Sequence, residues 1–166
     1  QQMGLEDREF GAVFCTIEVN PEYDDLERAD AAIASARFLA DVVGVTAIVG
    51  PAASGDTQSV FTDLTGEGVL VISPSATSPA LTELDPSEVS DDAPGLLWRT
   101  APSDALQGAV IAADMLGPGL GRELEVTEVA AIHEVGAYGE GLYEVFAGAA
   151  LSVATTLAGC AADSPA

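Results

Sequence analysis

Hydrophobic positions alternate along the chain between short, nearly continuous apolar runs and longer stretches in which apolar residues recur every three to four positions. The short runs cover residues 10–18, 45–49, 69–72, 96–99 and 126–133, and they predict β-strands. The longer stretches cover residues 25–43, 54–66, 103–116 and 138–151, and they predict amphipathic helices. This alternation predicts an α/β fold with three layers, in which helices cover a mostly parallel, doubly wound sheet.

Turn residues sharpen these boundaries. The run 45–49 is apolar throughout and stops at Gly50-Pro51, which predicts a strand buried on both faces. Asp104 and Gln107 have the spacing of a capping box at the start of a helix. Residues 78–95 are acidic and proline-rich and are predicted to be irregular, and residues 159–166 are predicted to be a frayed tail. Because no repeat or linker divides the chain, we predict one α/β ligand-binding lobe over residues 1–158.

Composition excludes several classes of function. The 166 residues include 27 Asp and Glu, five Arg and no Lys, which gives a formal net charge of -22. Such a surface repels phosphate backbones and anionic lipids, so nucleic-acid binding is not expected. The acidic residues are spread along the chain, which favours an evenly acidic surface, and a salty medium would screen its self-repulsion. The absence of lysine also excludes a P-loop lysine and Schiff-base chemistry.

The remaining compositional signals are weak. Cys15 and Cys160 match no metal-ligand spacing, and the sequence leaves open whether they form a disulfide or remain two thiols. No run reaches the roughly 18 to 20 uncharged apolar residues that span a bilayer. Residues 1–7 lack the basic start and apolar centre of a secretion signal.

Candidate chemistry lies in the loops that follow predicted strands, because ligands bind at the carboxyl ends of parallel strands. The loop 50–57 offers the Ser54 hydroxyl and a helix N-terminus, a combination that attracts a carboxylate. The loop 73–77 offers the Ser75 and Thr77 hydroxyls, and its small residues, including Ala76, let a ligand approach the backbone. The loop 133–141 carries Tyr138, whose ring can cover an apolar part of a ligand. We expect the three loops to converge on one rim.

The same residues also have purely structural explanations. A serine ahead of a helix, such as Ser54 or Ser103, commonly caps that helix. Tyr138 can belong to ordinary packing at a helix start. His133 could serve a serine hydrolase together with Ser54 or Ser75, although no Gly-x-Ser-x-Gly motif occurs. One acidic cluster could hold calcium, but it lacks the ligand order of an EF-hand, so we interpret it as a solvated loop: Glu83, Asp85, Glu88, Asp91 and Asp92.

The segments VVGVTAIVGPAASGDT, VLVISPSATSPALT, WRTAPSDALQG and AIHEVGAYGEGL together resemble the type I periplasmic binding proteins. Their likeness is greatest to the leucine/isoleucine/valine-binding branch of ABC uptake systems and covers roughly residues 10–149. The resemblance implies that Ser54 and the segment Ser75-Ala76-Thr77 hold the α-carboxylate and α-ammonium groups of a ligand, and that Tyr138 lies against it. It implies that the segment from Arg99 to Asp104 is structural.

The resemblance also implies a location and partners. Family members act in the periplasm or outside the cell and work with a membrane permease or a sensor domain, without cofactor, metal or catalysis. In that family two lobes close over the ligand. We expect this chain to lack the first βα unit and the second lobe, so that its exposed edges can drive self-association. The leading hypothesis is an amino-acid-binding lobe. The alternatives are an interaction or structural remnant without a ligand, and a serine hydrolase.

Overall fold

The structure, a computed structural model, describes residues 4–5, 8–9, 11–18, 27–85, 95–117, 126 and 128–162, with the backbone alone for residues 4–5, 8–9 and 154–162. Its first elements are two short antiparallel strands, β1 (Gly4–Leu5) and β2 (Arg8–Glu9). A parallel sheet follows, composed of β3 (Ala47–Val49), β4 (Leu70–Ser73) and β5 (Leu97–Arg99) in that spatial order. The parallel sheet and its covering helices confirm the predicted α/β class.

Helices fill the intervals between these strands. The helix α1 (Arg28–Arg37) continues as a π-helical turn (Phe38–Val43) that ends at Gly44, whose φ of 76° is a left-handed conformation that favours glycine. After β3 comes α2 (Ser54–Asp63), and after β4 a short 3-10 helix (Pro79–Thr82). After β5 come α3 (Asp104–Leu116) and α4 (Ala137–Ala162). None of the helices in the described part of the chain is long and apolar enough to cross a membrane.

The core lies between the sheet and the pair α1 and α2. Side chains of β3 and β4 pack against one face of each helix, and the alanines of α1 let it approach closely. The buried residues of this cluster are Ala32, Ala36, Ile48, Val60, Phe61, Leu64, Val69 and Val71. Removing such side chains from water stabilises the fold by about 1.5 to 3 kcal/mol for each large one. This core fixes the carboxyl ends of β3 and β4 relative to α2.

The two last helices pack against each other. Gly108 of α3 lies so close to α4 that an added Cβ would come within 2.9 Å of the Phe146 backbone nitrogen. The first turn of α4 also touches the 3-10 helix, because Gly141 lies against Pro79. The beginning of α4 is therefore held beside the segment that follows β4.

Two arginines link helices on the surface. Arg37 of α1 donates from Nε to Asp63 Oδ2 at 2.6 Å and from Nη1 to Glu67 Oε1 at 3.2 Å. The hydrogen bonds to Asp63 and then to Glu67 raise the pKa of Arg37 above its ordinary value, so the guanidinium stays charged. Arg28 Nε lies 2.8 Å from Asp56 Oδ2, which places a cation over the first turn of α2.

Two predicted strands do not form in their described residues. Residues 11–18 join no sheet in the described part of the chain, and the Ser35 hydroxyl of α1 holds this segment through the Thr16 carbonyl at 3.0 Å. A cavity of about 480 Å³ lies between these residues and β3, and no strand of the described part of the chain pairs with them. Residues 126 and 128–133 are also irregular, and Ile132 is fully exposed. An apolar run becomes a strand only where a partner strand satisfies its backbone.

Other predicted boundaries need smaller corrections. Val49 is 79% exposed and Ile48 is the one buried residue of β3, so one face of this strand is uncovered among the described residues and the prediction of burial on both faces is wrong. Ser103, not Asp104, is the N-cap of α3 and accepts from the Ala105 amide at 3.3 Å, so Gln107 is outside the capping-box register. Residues 79–82 form the 3-10 helix inside the segment predicted to be irregular. The alanine-rich end of α4 stays helical through Ala162, which corrects the predicted frayed tail for residues 159–162; residues 163–166 lie outside the described part.

Candidate functional site

Two loops leave the same edge of the sheet. One follows β3 at Gly50 and leads into α2, and the other follows β4 at Ser73 and leads to the 3-10 helix. The Gly50 amide donates to the Ile72 carbonyl at 2.8 Å, and the Thr100 amide donates to the Ser73 carbonyl at 3.1 Å. These backbone bonds continue the strand pairing beyond the regular strands. The loops therefore start at the same level and lie side by side.

Ser54 joins the two loops. It is the first residue of α2, and Ala53 is the N-cap, so the hydroxyl does not cap its own helix. Its Oγ instead accepts from the backbone amides of Thr77 and Ser78, both at 3.2 Å. The residue is only 3% exposed. The helix-cap explanation is wrong for Ser54, whereas Ser103 is a cap.

Ser73 forms a second connection between the loops, one that the sequence reasoning missed. Its side chain is fully buried, and its Oγ donates to the Pro51 carbonyl at 2.6 Å. The same oxygen accepts from the Ala76 amide at 3.1 Å. Thr57 supports this arrangement, because its hydroxyl lies 2.8 Å from the Ala53 carbonyl and 3.4 Å from Ser73 Oγ. The sequence signal that could have indicated this role is a serine that ends a buried strand and precedes a proline.

Thr77 is bound to the start of α3. Its hydroxyl donates to Asp104 Oδ2 at 2.7 Å, and its carbonyl accepts from the Asp104 amide at 2.9 Å. Asp104 is 1% exposed, so this carboxylate is buried. The sequence pattern predicts Asp104 only as a capping residue and does not indicate its contact with the loop.

Ser75 and Ala76 differ in what they offer. Ser75 is exposed, and its hydroxyl donates to the Ala52 carbonyl at 2.9 Å, which ties the outer surface of one loop to the other. The Ala76 side chain is buried, so only its backbone can face a ligand. Four of the five predicted site residues, Ser54, Ser75, Ala76 and Thr77, are thus brought together at one edge of the sheet.

Tyr138 is not joined to this group by any hydrogen bond or ring contact among the described residues. It is the second residue of α4 and is 40% exposed. Its neighbour Ala137 borders a cavity together with Gly55 and Gln58, so the start of α4 lies near the first turns of α2. A contact between Tyr138 and a ligand stays a prediction.

The first turn of α2 is the positive element of this edge. The amides of Ser54, Gly55 and Asp56 have no hydrogen-bond acceptor within the described part of the chain, as expected for the first turn of a helix. The helix dipole adds positive potential at this end. The Asp56 carboxylate in the same turn is paired with Arg28. A small anion could therefore be held here by backbone amides.

Other candidate residues have structural roles. The His133 ring stacks on Tyr143 with centroids 4.8 Å apart and makes no contact with Ser54 or Ser75 in the described structure. Arg99 donates to the Ser78 carbonyl at 2.7 Å and also to the Thr82 hydroxyl, as expected for a structural motif. Cys15 is an exposed free thiol, and the Cys160 side chain lies outside the described part.

The acidic cluster also contains a structural residue. Asp85 accepts from the amides of Leu96 and Leu97 at 2.6 Å and 3.2 Å, so it anchors the start of β5. Glu88, Asp91 and Asp92 lie outside the described residues. Among the residues that the structure does describe, no group of three or more His, Cys, Asp or Glu side chains could hold a metal ion.

Comparisons with known proteins agree with this architecture. Residues 12–155 match the family model described as "Receptor family ligand binding region". The leucine-specific-binding protein of Salmonella typhimurium is 32% identical over 124 residues, which cover 75% of this chain and 30% of that protein. The chain thus spans less than a third of that relative's length.

Solved structures show the same fold. A leucine-binding protein of Thermotoga maritima superposes with a TM-score of 0.60 at 22% identity, covering 75% of this chain and 32% of that one. A branched-chain amino acid transporter substrate-binding protein of Streptococcus pneumoniae, solved in complex with isoleucine, has a TM-score of 0.51 at 27% identity and covers 73% of this chain and 31% of that one. The chain therefore belongs to the family of receptor ligand-binding regions, as the resemblance of its loops to type I periplasmic binding proteins predicted.

Proposed function

We propose that this chain binds the α-carboxylate and α-ammonium groups of a small amino acid, with branched-chain amino acids favoured, for ABC-type uptake or sensing and without catalysis. The observation that carries the proposal is the junction at Ser54, whose Oγ accepts from the amides of Thr77 and Ser78. That junction places a helix N-terminus and a hydroxyl-rich loop on one edge of the sheet, where parallel α/β folds bind ligands.

The first turn of α2 is the proposed carboxylate end. Its amides are without acceptors among the described residues, and the exposed Gly55 leaves the backbone accessible. Ser54 already accepts two hydrogen bonds, so its hydroxyl hydrogen remains for an acceptor such as a carboxylate oxygen. Charge-assisted bonds of this kind are roughly twice as strong as neutral ones.

The hydroxyls of Ser75 and Thr77 form the proposed ammonium end. Each already donates its hydrogen inside the protein, Ser75 to Ala52 and Thr77 to Asp104. Both oxygens therefore keep only lone pairs for a ligand, and an ammonium group supplies the matching donors. A donor end and an acceptor end on one edge match the two charged groups of a free amino acid.

The side-chain preference is argued from relatives and from Tyr138. The similar protein of Salmonella typhimurium is named as leucine-specific, and the similar structure from Streptococcus pneumoniae contains isoleucine. An aromatic ring beside the site would suit an aliphatic side chain. We propose that Tyr138 provides that ring.

We further propose that this lobe forms part of a larger site in a periplasmic or extracellular protein that works with a membrane permease or a sensor domain. The relatives are about three times longer than the matched region, so further contacts come from other parts of such a protein. The edge described here is open, because Ser75 is exposed. An open partial site should bind weakly, with a dissociation constant on the order of 1 mM, or about -4 kcal/mol.

Nuclear magnetic resonance titration tests the proposal, since it detects millimolar binding. Adding leucine, isoleucine or valine to the 166-residue chain should shift the amide resonances of Gly55, Ser75 and Thr77. Replacing Ser75 by Ala or Thr77 by Val should weaken binding about tenfold each, the effect of losing one hydrogen bond to a charged group. Thr65→Ala is the matched control, because the Thr65 hydroxyl donates to the Phe61 carbonyl at the opposite end of α2.

The outcomes separate the hypotheses. If binding persists unchanged in both loop variants, the site assignment is wrong. If no amino acid shifts any resonance, the chain is better explained as an interaction or structural remnant. Turnover of generic ester substrates that depends on Ser54 or Ser75 would favour the hydrolase alternative instead.

A further inference from the structure

Asp104 is a buried carboxylate bound directly to the candidate site. It is 1% exposed, and its Oδ2 accepts from the Thr77 hydroxyl at 2.7 Å. Its amide donates to the Thr77 carbonyl at 2.9 Å. Asp104 thus contacts both the side chain and the backbone of Thr77, and the two hydrogen bonds hold the hydroxyl and the carbonyl of the threonine in fixed positions.

This pair fixes which hydrogen-bonding role Thr77 can play. An ionised carboxylate only accepts hydrogen bonds, so the Thr77 hydroxyl must use its single hydrogen toward Asp104. The lone pairs of Oγ1 then remain for a ligand. Rotating the hydroxyl hydrogen outward would leave a buried carboxylate oxygen without its donor, which is costly.

The position of Asp104 supports this state. It is the first residue of α3, where the helix dipole stabilises a negative charge. Ser103 caps the same helix through the Ala105 amide, so Asp104 is not needed for capping and is available to the loop.

We propose that Asp104 is a specificity-determining positioning residue: it holds the Thr77 hydroxyl as an acceptor, so that the site selects an α-amino acid over the corresponding α-keto acid. This inference rests on the proposed function, since it concerns the same site. An ammonium group donates to Thr77 Oγ1, whereas a keto oxygen at that place meets another lone pair. The discrimination comes from repulsion of the wrong ligand as well as attraction of the right one.

The test compares leucine with its keto acid, 4-methyl-2-oxopentanoate, by resonance titration of the 166-residue chain. Wild type should bind leucine at least about tenfold more tightly. Asp104→Ala removes the acceptor and so releases the Thr77 hydroxyl hydrogen, and the preference should fall about fivefold or more. The preference should fall in the same direction in Asp104→Asn, whose amide hydrogens compete for Thr77 Oγ1. Asp63→Asn makes the same chemical change in a carboxylate bound to Arg37 and should leave the preference unchanged.

A variant of Thr77 guards against a folding defect in the Asp104 variants. Thr77→Val keeps the shape of the side chain but removes the hydroxyl, and it should reduce the preference for leucine to a similar extent. An unchanged preference in folded Asp104→Ala or in Thr77→Val would overturn the inference.

A ligand-free measurement separates this inference from the proposed function. The Thr77 hydroxyl hydrogen should be observable in wild type and in Asp63→Asn, because its bond to a buried carboxylate slows exchange with water, and it should be lost in Asp104→Ala. If wild type binds neither ligand, the proposed function fails, and this hydrogen alone decides whether Asp104 sets the polarity of Thr77. Its absence in wild type would overturn the inference.

Discussion

Replacing Ser73 by alanine should destabilise the fold, because the Ser73 hydroxyl holds the two loops together. In the structure the Ser73 hydroxyl donates to the Pro51 carbonyl and accepts from the Ala76 amide, and all of this lies in a fully buried position. Without the Ser73 hydroxyl, the Pro51 carbonyl still has a hydrogen-bond donor, because the Thr57 hydroxyl lies 3.1 Å from it. The Ala76 amide has no other acceptor among the described residues. The substitution therefore leaves one buried donor unsatisfied.

The expected cost follows from that single donor. A buried amide without an acceptor destabilises a fold by about 1 to 3 kcal/mol. For a chain of this length each kcal/mol lowers the melting temperature by about 2 to 4 °C. Ser75→Ala is the matched control in the same loop, because Ser75 is exposed and water can replace its bond to Ala52. That control should change stability by less than about 0.5 kcal/mol.

Urea denaturation followed by circular dichroism measures both variants. The slope of unfolding free energy against urea should match wild type, so that the difference in midpoint reports stability alone. A loss below about 0.5 kcal/mol for Ser73→Ala would refute the reasoning. So would an equal loss for Ser75→Ala, because burial would then not be the cause.

Three further predictions concern the edge strand and the charge. The bonds from Leu70 to Thr46 and from Gly50 to Ile72 leave the backbone amides of Ala47 and Val49 directed away from β4. Both amides should therefore exchange hydrogen about tenfold or more faster than the Ile48 amide. Equal exchange rates, measured by mass spectrometry or nuclear magnetic resonance, would contradict an open edge. Because Val49 is 79% exposed at this edge, Val49→Lys should reduce concentration-dependent association in sedimentation, and unchanged association would place the contact elsewhere. Raising sodium chloride from about 0.05 to 1 M should raise the melting temperature, because salt screens a net charge of -22; a falling temperature would indicate that ion pairs such as those of Arg37 dominate.

The sequence predicted the fold wherever local pattern and tertiary partners agree. The runs at 45–49, 69–72 and 96–99 became β3, β4 and β5, because each has a neighbouring strand that satisfies its backbone. The runs at 10–18 and 126–133 are as apolar, yet in their described residues they form no strand. Strand formation depends on the presence of a partner, which periodicity within one segment cannot report.

The sequence predicted where the candidate site lies better than it predicted the role of each residue there. Strand-end loops with small and hydroxyl residues led directly to Ser54, Ser75 and Thr77, because parallel strands end at one edge. Which group each hydroxyl contacts could not be predicted, since Ser54 bonds to residues 23 and 24 positions away in sequence. Asp104 was missed for the same reason, being 27 positions from Thr77.

The strong negative charge of the chain bears on how an anionic group could approach this edge. Asp56 lies in the first turn of α2, where an unneutralised carboxylate would repel a ligand carboxylate from the amides beside it. Arg28 Nε lies 2.8 Å from that carboxylate and is itself largely exposed, so it offsets the negative charge of the turn from the solvent side. The chain has five arginines and no lysine, so the position of each arginine matters more than the number of arginines. The carboxylate end of the proposed site thus depends on one surface ion pair, and the ammonium end on the buried pair of Thr77 and Asp104.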